Sequence, residues 1–191
     1  MRYEIHITIS NTSVLDYHKF NQYCRSIHGC KANLIELSKG EYPLQLMLTK
    51  RDTFETDNQA LKWGNEMSSK AMKDGWDVTR LKVESPLTEG KSEYFEVHFN
   101  FHVYRKNRPD FHSFLEKNPQ FLHSHNLVYR PLHYLSLREY YTPVGHGDYI
   151  PLYNKFLNAE TLIKDFNLPL VETQFERVLI DTNPDIDKGW V

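Results

Sequence analysis

Apolar and polar residues alternate strictly along two stretches of the chain, residues 1–10 and residues 94–104. The apolar positions are Tyr3, Ile5, Ile7 and Ile9 in the first stretch and Phe95, Val97, Phe99, Phe101 and Val103 in the second. Alternation with a period of two is typical of a strand that buries one face. The polar positions of the two stretches also correspond, as Glu4 and Glu96, His6 and His98, and Thr8 and Asn100. The chain therefore carries two copies of one strand, which indicates an internal repeat.

The segments that follow the two copies predict the same order of elements. After the first copy, the apolar spacing and the turn residues predict a helix ending near Gly29, strands at 31–36 and 43–49, a helix at 57–75 and a strand at 77–84. After the second copy, they predict a short helix from Pro109, strands at 126–129 and 131–138, a helix from Pro151 and a strand at 171–180. The two halves look like an internal duplication.

Each half has the element order β-α-β-β-α-β of a ferredoxin-like unit, so we expect an α+β fold made of two duplicated ferredoxin-like halves. The first half spans residues 1–85, and the second spans residues 93–191 and includes a C-terminal tail. Residues 86–92 are polar and rich in turn residues, which predicts a linker. Helices would cover one face of each sheet, and the two open sheet faces would form a shared cleft.

The composition is that of an ordinary globular protein, with 40% hydrophobic and 25% charged residues. A net charge of −2 gives no general attraction to nucleic acid or to an anionic membrane, so we expect no long nucleic-acid partner and no membrane contact. No apolar stretch approaches the roughly 20 residues of a membrane span. Cys24 and Cys30 match neither a zinc spacing nor a redox motif. These features predict a cytoplasmic protein with free thiols, and they leave the oligomeric state open.

The polar faces of the two copied strands are where we expect chemistry. These faces would point away from the helices, so that His6 and His98 would lie on the two open sheet faces and converge in the cleft. Two imidazoles on either side of a scissile bond suit acid–base catalysis near neutral pH, because one accepts a proton while the other donates one. The predicted catalytic residues are therefore His6 and His98. The residues predicted to bind the oxygens or the charge of a phosphate are Thr8, Asn100, Lys50, Arg138, Arg80 and Lys82.

At these residues the chain resembles the two-histidine phosphoesterase superfamily. Residues 5–9, Ile-His-Ile-Thr-Ile, match the His-x-Thr/Ser motif that this family carries between apolar residues on a strand. Residues 97–101, Val-His-Phe-Asn-Phe, match it except that Asn100 stands where the family has Thr or Ser. The resemblance implies a duplicated, pseudo-symmetric α+β fold and hydrolysis of cyclic phosphates or 2′,5′-linked oligonucleotides without a metal.

Metal ligation is an alternative use of the same residues. Glu4, His6, Glu96 and His98 offer the nitrogen and carboxylate ligands that zinc, iron or manganese take. His102 lies four residues beyond His98, roughly 13 Å along a strand, which is too far for a shared ion. A triphosphate tunnel barrel is not predicted, because its first strand would need Glu-x-Glu-x-Lys, which this chain lacks.

Two further segments contain candidate metal ligands. His123 and His125 lie outside any predicted strand, and we expect them to be a pair in a loop. The tail from Asp181 to Gly189 has acidic or amide residues at alternate positions, as a calcium loop does, but its glycine is misplaced and no glutamate follows at the twelfth position. We expect a turn-rich tail that docks Trp190.

The sequence thus predicts metal-independent hydrolysis or binding of a small nucleotide or oligonucleotide phosphate ester, with His6 and His98 as the acid–base pair and with no cofactor or resident metal. Two alternatives stay open. The polar faces could be only the solvated sides of two amphipathic strands. The same polar cleft could instead bind a ligand or a protein partner without catalysis.

Overall fold

The computed structural model describes residues 1–10, 14–88, 90–140, 149–187 and 189. The strands are β1 (Arg2–Ile9), β2 (Cys30–Leu37), β3 (Leu44–Thr53), β4 (Val78–Pro86), β5 (Tyr94–His102), β6 (Leu122–Asn126), β7 (Leu132–Glu139) and β8 (Leu170–Asp181). The helices are α1 (Val14–Arg25), α2 (Asp57–Lys73), α3 (Arg108–Lys117) and α4 (Ile150–Asp165). A short 3-10 helix, Pro184–Asp187, follows β8 and is called the tail helix below.

The strands form one closed antiparallel barrel. Neighbouring strands follow the order β1-β3-β2-β6-β7-β5-β8-β4, and β4 pairs with β1 to complete the circle. Two pairings join the halves of the chain, because β2 pairs with β6 and β4 pairs with β8. An unpaired edge strand exposes backbone donors and acceptors, and pairing the edges of the two halves satisfies both. Closure therefore removes every free edge from the sheet.

The predicted arrangement of duplicated ferredoxin-like halves with open sheet faces and a shared cleft is wrong. The order β-α-β-β-α-β does occur twice along the chain, but the strands belong to a single sheet that closes on itself. The polar faces of β1 and β5 consequently line the inside of a barrel. Element order indicates which strands follow one another, whereas closure depends on contacts between distant edge strands.

The hydrophobic cores lie between the barrel wall and the helices. Ile5 and Ile7 of β1 are fully buried and pack in one cluster with Phe20 of α1. Phe101 of β5 packs in another cluster, with its ring 5.6 Å from that of Phe111 on α3. Each such side chain contributes roughly 1.5–3 kcal/mol by its burial. The apolar faces thus cover the outside of the barrel, and the prediction that the polar faces point away from the helices is confirmed.

Strand β6 lies where the sequence predicted a loop. We expected a strand at 126–129, but the strand is Leu122–Asn126, and it carries His123 and His125. Its sequence, Leu-His-Ser-His-Asn, lacks the apolar alternation that marks a strand. Pairing with β2 and β7 on its two sides imposes the extended conformation instead.

Three other predictions concern the cysteines, the membrane and the tail. Cys24 and Cys30 are both free, as predicted, and burial raises the pKa of the Cys24 thiol to about 12. Among the helices of the described ranges, none combines the length and the apolar character that crossing a membrane requires. The predicted docking of Trp190 lies outside the described residues.

Candidate functional site

The barrel contains a partly open cavity of about 150 Å³ that is lined largely by polar residues. Alternate residues of all eight strands line it, because successive side chains of a strand point into and out of a barrel. The ionisable residues that line it are Glu4, His6, Lys31, Arg51, Arg80, Lys82, Glu84, Glu96, His98, Tyr134, Arg138, Glu176 and Asp187. A cavity of this size can hold a molecule about as large as benzene.

His6 and His98 are anchored in the same way in the cavity wall. His6 on β1 lies across from Thr49 on β3, and its Nδ1 is 3.0 Å from Thr49 Oγ1. His98 on β5 lies across from Ser136 on β7, and its Nδ1 is 2.7 Å from Ser136 Oγ. A hydrogen bond at one ring nitrogen orients the ring and leaves the other nitrogen available for chemistry. In both residues the available nitrogen is Nε2, which faces carboxylates inside the barrel.

Four glutamates, called the glutamate cluster below, surround the two imidazoles. They are Glu4, Glu84, Glu96 and Glu176. Glu4 lies directly opposite Glu84 on β1 and β4, and Glu96 lies directly opposite Glu176 on β5 and β8. Like charges at directly opposite positions destabilise a sheet. The cluster therefore needs positive charge among its members.

The glutamate cluster converges on the imidazole nitrogens. His98 Nε2 lies 3.3 Å from a carboxylate oxygen of Glu96, 3.3 Å from one of Glu176 and 3.9 Å from one of Glu84. His6 Nε2 lies 3.1 Å from the other oxygen of Glu84. The carboxylate of Glu84 thus contacts both imidazoles.

Lysine and arginine side chains neutralise the cluster unevenly. The ion pairs are Arg51 with Glu4 at 2.5 Å, Arg138 with Glu96 at 2.7 Å, and Lys82 with Glu84 at 2.6 Å and also with Glu96. Within the part of the chain that the structure describes, Glu176 forms no ion pair with a lysine or an arginine, and its charged partner is His98. The cluster is therefore short of positive charge beside Glu176.

The pKa values of the cluster follow this distribution of charge. Burial alone lowers the pKa of His98, but Glu176, Glu84 and Glu96 outweigh burial and hold that pKa well above its ordinary value. Burial and the charge of Glu84 raise the pKa of Glu176. By contrast, Lys82 overcomes the effect of burial and holds the pKa of Glu84 well below its usual range. The carboxylates around His98 Nε2 thus stabilise a positive charge at that position.

Among the described residues, one group of side chains has the spacing of a metal site. One carboxylate oxygen each from Glu84 and Glu176 and one ring nitrogen of His98 all lie within 4.8 Å of one another. Bonds from zinc to such ligands are roughly 2.0–2.2 Å long, so binding a shared ion would draw these atoms closer together than they lie here. Oε1 of Glu84 is buried and forms an ion pair with Lys82 Nζ at 2.6 Å. A metal ion bound by that oxygen would therefore share it with the lysine.

A second set of ion pairs lies where the tail helix meets the cavity. Asp187 accepts hydrogen bonds from Arg80 Nη2 at 3.0 Å, Arg138 Nη2 at 2.8 Å and Gln45 Nε2 at 3.0 Å. Asp181 accepts two more from Arg80, at 2.8 and 2.6 Å. Nη1 of Arg138 is buried and has no acceptor among the described residues. The tail helix therefore supplies a carboxylate that helps to neutralise two buried arginines.

The structure brings most of the predicted site residues to the cavity. Those that line it are His6, His98, Thr8, Arg80, Lys82 and Arg138. Asn100 is buried near one end of β5, where its Nδ2 donates to Glu172 at 3.2 Å. Lys50 lies on the opposite face of β3, where its Nζ donates to the carbonyl oxygen of His28 at 2.9 Å and lies 5.8 Å from the ring centroid of Trp63. Lys50 consequently supplies no charge to the cavity.

Among the cavity residues that were not predicted as site residues, Arg51, Glu84 and Glu176 belong to the glutamate cluster or pair with it. For two of these residues, the alternation of side chains along a strand could have predicted the position in the cavity. Glu84 lies two residues beyond Lys82 and so faces the same side of β4, and Arg51 is related to Thr49 of β3 in the same way. The signal for Glu176 is weaker, because the pairing of β8 with β4 contains a register shift that interrupts the alternation.

Comparisons with known proteins assign no family to the chain. No protein-family model matches it, and no curated protein sequence matches it. A solved "putative monooxygenase" from Fusobacterium nucleatum subsp. nucleatum is 13% identical with a TM-score of 0.35, and the alignment covers 98% of this chain and 94% of that chain. A "putative monooxygenase" from Lactobacillus acidophilus is 10% identical with a TM-score of 0.29, over 94% of this chain and 93% of that chain. A "putative glycine cleavage system transcriptional repressor" is 9% identical with a TM-score of 0.25, over 93% of this chain and 96% of that chain. TM-scores this low support no argument about fold or function.

Proposed function

We propose that the interior of the barrel is a divalent-metal centre in which Glu84, His98 and Glu176 bind the ion and His6 exchanges protons with a small ligand beside it. The position of His98 Nε2, which lies within 3.9 Å of three glutamate carboxylates, carries this proposal. An anchored imidazole faced by carboxylates offers the donor set that zinc, manganese and iron take in proteins.

The charges of the interior support a bound cation. The cavity and its ion-pair partners contain six carboxylates, Glu4, Glu84, Glu96, Glu176, Asp181 and Asp187, and four permanent cations that pair with them, Arg51, Arg80, Lys82 and Arg138. Lys31 also lines the cavity but is exposed. With both imidazoles neutral, the carboxylates therefore outnumber the cations that pair with them. Buried charges in folded proteins are stable only when they are paired. A proton on an imidazole supplies part of that balance in the metal-free protein, and a metal ion would replace it.

His6 has the position of a proton-transfer group next to this centre. Its Nε2 lies 3.1 Å from Glu84, one of the proposed ligands, and Thr49 fixes the ring from the other side. A bound divalent ion would polarise a water molecule or a ligand oxygen and so make its proton easier to remove. An imidazole within hydrogen-bonding reach of that oxygen can accept the proton.

Metal binding by the purified protein tests the proposal. After treatment with a chelator, titration with Mn²⁺ or Zn²⁺ in a calorimeter should give one ion per chain. Glu176→Gln keeps the volume of the side chain but removes its charge, and we expect it to weaken binding by more than about tenfold. Glu172→Gln is the matched control, because Glu172 lies on the same strand but outside the group of ligands. The proposal fails if the wild-type protein binds neither ion at millimolar concentration, or if both variants bind equally.

Binding of a small phosphate ester is a second candidate, and one observation favours it. His6 and His98, the pair that the sequence predicted as catalytic, line one cavity and are anchored alike. Two observations count against it. The carboxylate of Glu84 contacts both imidazoles, where a bridging phosphate would have to lie. The cavity of about 150 Å³ is also smaller than the sites that enclose drug-sized ligands such as nucleotides.

The two candidates differ in their dependence on metal. A phosphodiesterase with a histidine pair would turn over cyclic nucleotides in the presence of a chelator and would lose that activity on His6→Ala or His98→Ala. We expect no turnover of cyclic nucleotides by the chelator-treated protein. Turnover that survives the chelator and disappears in both variants would favour the second candidate over the metal centre.

A further inference from the structure

Two turns lie side by side at one end of the barrel. One turn, residues 103–107, follows β5, and the other, residues 127–131, joins β6 to β7. The backbone N–H of Val103 donates to the carbonyl oxygen of Pro131 at 2.7 Å. The ring centroid of His102, at the end of β5, lies 5.7 Å from that of Tyr129. The two turns therefore form one continuous surface.

This surface carries positive charge that the protein does not pair. Its exposed cations are Arg105, Lys106, Arg108 and Arg130. Among the described residues, none of these four cations forms an ion pair. Neither turn contains a carboxylate, and the nearest one along the chain is Asp110. The four cations are consequently available to an anionic partner, although the whole chain has a net charge of −2.

Aromatic rings lie among these cations. Tyr104 is 47% exposed and Tyr129 is 51% exposed, and the ring of His102 contacts both, with centroids 6.1 and 5.7 Å away. Asn107 holds the first turn in place, because its Oδ1 accepts from the backbone N–H of Tyr104 at 2.7 Å and its Nδ2 donates to the carbonyl oxygen of His102 at 3.2 Å. The rings are therefore presented by an ordered backbone.

We propose that this surface, called the basic patch below, binds a short single strand of RNA or DNA. The residues of the basic patch are Tyr104, Arg105, Lys106, Arg108, Tyr129 and Arg130. Single strands bind where unstacked bases can lie on exposed aromatic rings while cations contact the phosphates. Three of the four cations are arginines, whose planar guanidinium group matches the geometry of phosphate oxygens. None of the six residues lines the cavity, so the proposal is independent of the metal centre.

The same features disfavour two other anionic partners. In a duplex the bases stack on one another, so they are not free to stack on tyrosine rings. An anionic membrane is bound by an apolar surface as well as by cations. The two turns, whose residues are all described, expose a single aliphatic side chain, that of Val128. A short strand requires only a local patch, whereas the net charge of the chain bears on the attraction of long nucleic acids.

Fluorescence anisotropy with labelled oligonucleotides of about 12 nucleotides tests the proposal. Oligouridylate and oligothymidylate are separate arms, and a duplex of the same length is the comparison. We expect at least one single strand to bind more than about tenfold tighter than the duplex, and binding of only one assigns the preferred sugar. Four neutralised phosphates predict that the affinity for the single strand falls by up to about 50-fold between 50 and 200 mM salt.

Three results of these titrations would overturn the proposal. The first is that neither single strand binds at 50 mM salt, and the second is that the duplex binds as tightly as the single strands. The third comes from sedimentation with vesicles of phosphatidylserine and phosphatidylcholine. Binding to these vesicles without binding to either oligonucleotide would identify the basic patch as a membrane contact instead.

A matched pair of tyrosine variants tests stacking. Tyr129→Ala removes one ring of the basic patch, and we expect it to weaken binding of the single strand by more than about fivefold. Tyr42→Ala is the control, because Tyr42 is 56% exposed in the turn between β2 and β3, outside the patch. It should bind as the wild-type protein does. Equal affinities of the two variants would exclude a stacking role for Tyr129 and overturn the proposal.

A matched pair of charge variants separates the basic patch from general attraction. Arg105→Gln/Lys106→Gln removes two of the four cations, so the fall in affinity between 50 and 200 mM salt should shrink to about sevenfold. Lys62→Gln/Lys73→Gln removes the same charge from exposed positions of α2, which packs against β1 and β4. This control should keep the affinity and the salt dependence of the wild-type protein. Equal losses in the two double variants would show that binding is not localised to the patch and would overturn the proposal.

Discussion

Glu96 and Glu176 lie directly opposite each other on β5 and β8, and both line the interior of the barrel. Glu96 pairs with Arg138 and with Lys82. Glu176, in the described structure, pairs only with the imidazole of His98. Two adjacent carboxylates therefore differ in role, because one is held in a network of permanent charges while the other lacks a permanent cation. This difference predicts opposite effects of the same substitution at the two positions.

Glu176→Gln should stabilise the metal-free protein. The substitution removes the repulsion between two directly opposite carboxylates, and we expect the free energy of unfolding to rise by up to about 1 kcal/mol. Urea unfolding at neutral pH in the presence of a chelator measures the change. Addition of Mn²⁺ should reverse the order of stability, because only the wild-type protein gains the free energy of tight ion binding.

Glu96→Gln is the matched comparison and should have the opposite effect. It leaves the buried Lys82 and Arg138 without their shared partner, and breaking a buried ion pair typically costs about 3–5 kcal/mol. Equal destabilisation by both glutamine variants would show that Glu176 is as firmly paired as Glu96, which contradicts the proposed division of roles.

Lys82→Met should make stability depend more strongly on metal. Lys82 Nζ pairs with both Glu84 and Glu96, so its loss leaves two buried carboxylates short of positive charge and should cost about 3–5 kcal/mol without metal. Bound Mn²⁺ would replace part of that charge. We therefore expect Mn²⁺ to raise the melting temperature more in Lys82→Met than in the wild-type protein. Lys155→Met, at an exposed ion pair with Glu139, should show the wild-type response. No gain from Mn²⁺ in Lys82→Met would contradict a metal centre beside Glu84.

The outer faces of β1 and β5 could be predicted from sequence because burial imposes a period of two on residues such as Ile5 and Phe99. Closure of the barrel could not be predicted from sequence. Where β2 meets β6, Ile35 lies opposite Asn126 and Leu37 lies opposite Ser124. Such pairs share no hydrophobic pattern, since the pairing is made by backbone hydrogen bonds that any sequence can form.

The histidine pair could likewise be found from its repeated motif, whereas the ligands around it could not. Glu84 and Glu176 lie beside His98 because of the strand order β5-β8-β4 and the register of each pairing. A register shift between Val83 and Glu84 is part of that arrangement. Register follows from the assembled barrel, and a slip of one residue would turn either glutamate to the outer face.

A histidine pair outside the cavity should make stability depend on pH. His123 Nε2 lies 2.9 Å from His133 Nδ1, and Phe111 packs against both rings, with centroids 5.3 and 5.5 Å away. Burial and then the neighbouring imidazoles lower the pKa of His123 to about 3. Burial and then His125 lower the pKa of His133 to about 4. Arg108 and His112 of α3 add positive charge nearby, so both rings are neutral at pH 7.

In the unfolded chain both imidazoles titrate near 6.5, so the unfolded state binds more protons between about pH 6.5 and 4. The free energy of unfolding should therefore fall as the pH drops through this window. His123 should contribute up to about 1.4 kcal/mol per pH unit, and the more exposed His133 should contribute less because solvent screens its charge. Urea unfolding between pH 4 and 7 measures the slope. The double variant His123→Gln/His133→Asn should flatten it, and an unchanged slope would assign the pH dependence to other groups.

Gly90 should tolerate no side chain, because of the arginine beside it. Its φ is +144°, and an added Cβ would overlap Nη1 of Arg177. The guanidinium group of Arg177 is 3% exposed and cannot move freely. Its Nη2 donates to both oxygens of Asp57 at 2.8 Å, and its Nε donates to Ser85 Oγ at 2.8 Å. Gly90→Ala must therefore strain the backbone and also displace a buried charge, which should cost about 3 kcal/mol or more in the free energy of unfolding.

Gly75→Ala separates the cost of backbone strain from the cost of displacing Arg177. Gly75 has a φ of +90°, but no atom lies within 4 Å of an added Cβ, so the alanine there meets backbone strain alone. We expect that variant to lose only about 1–2 kcal/mol. Urea unfolding of both variants gives the difference, which measures how firmly Asp57 and Ser85 hold Arg177 in place. Equal losses at the two glycines would mean that Arg177 moves aside without cost, and its ion pair with Asp57 would then contribute little to joining α2 to β8.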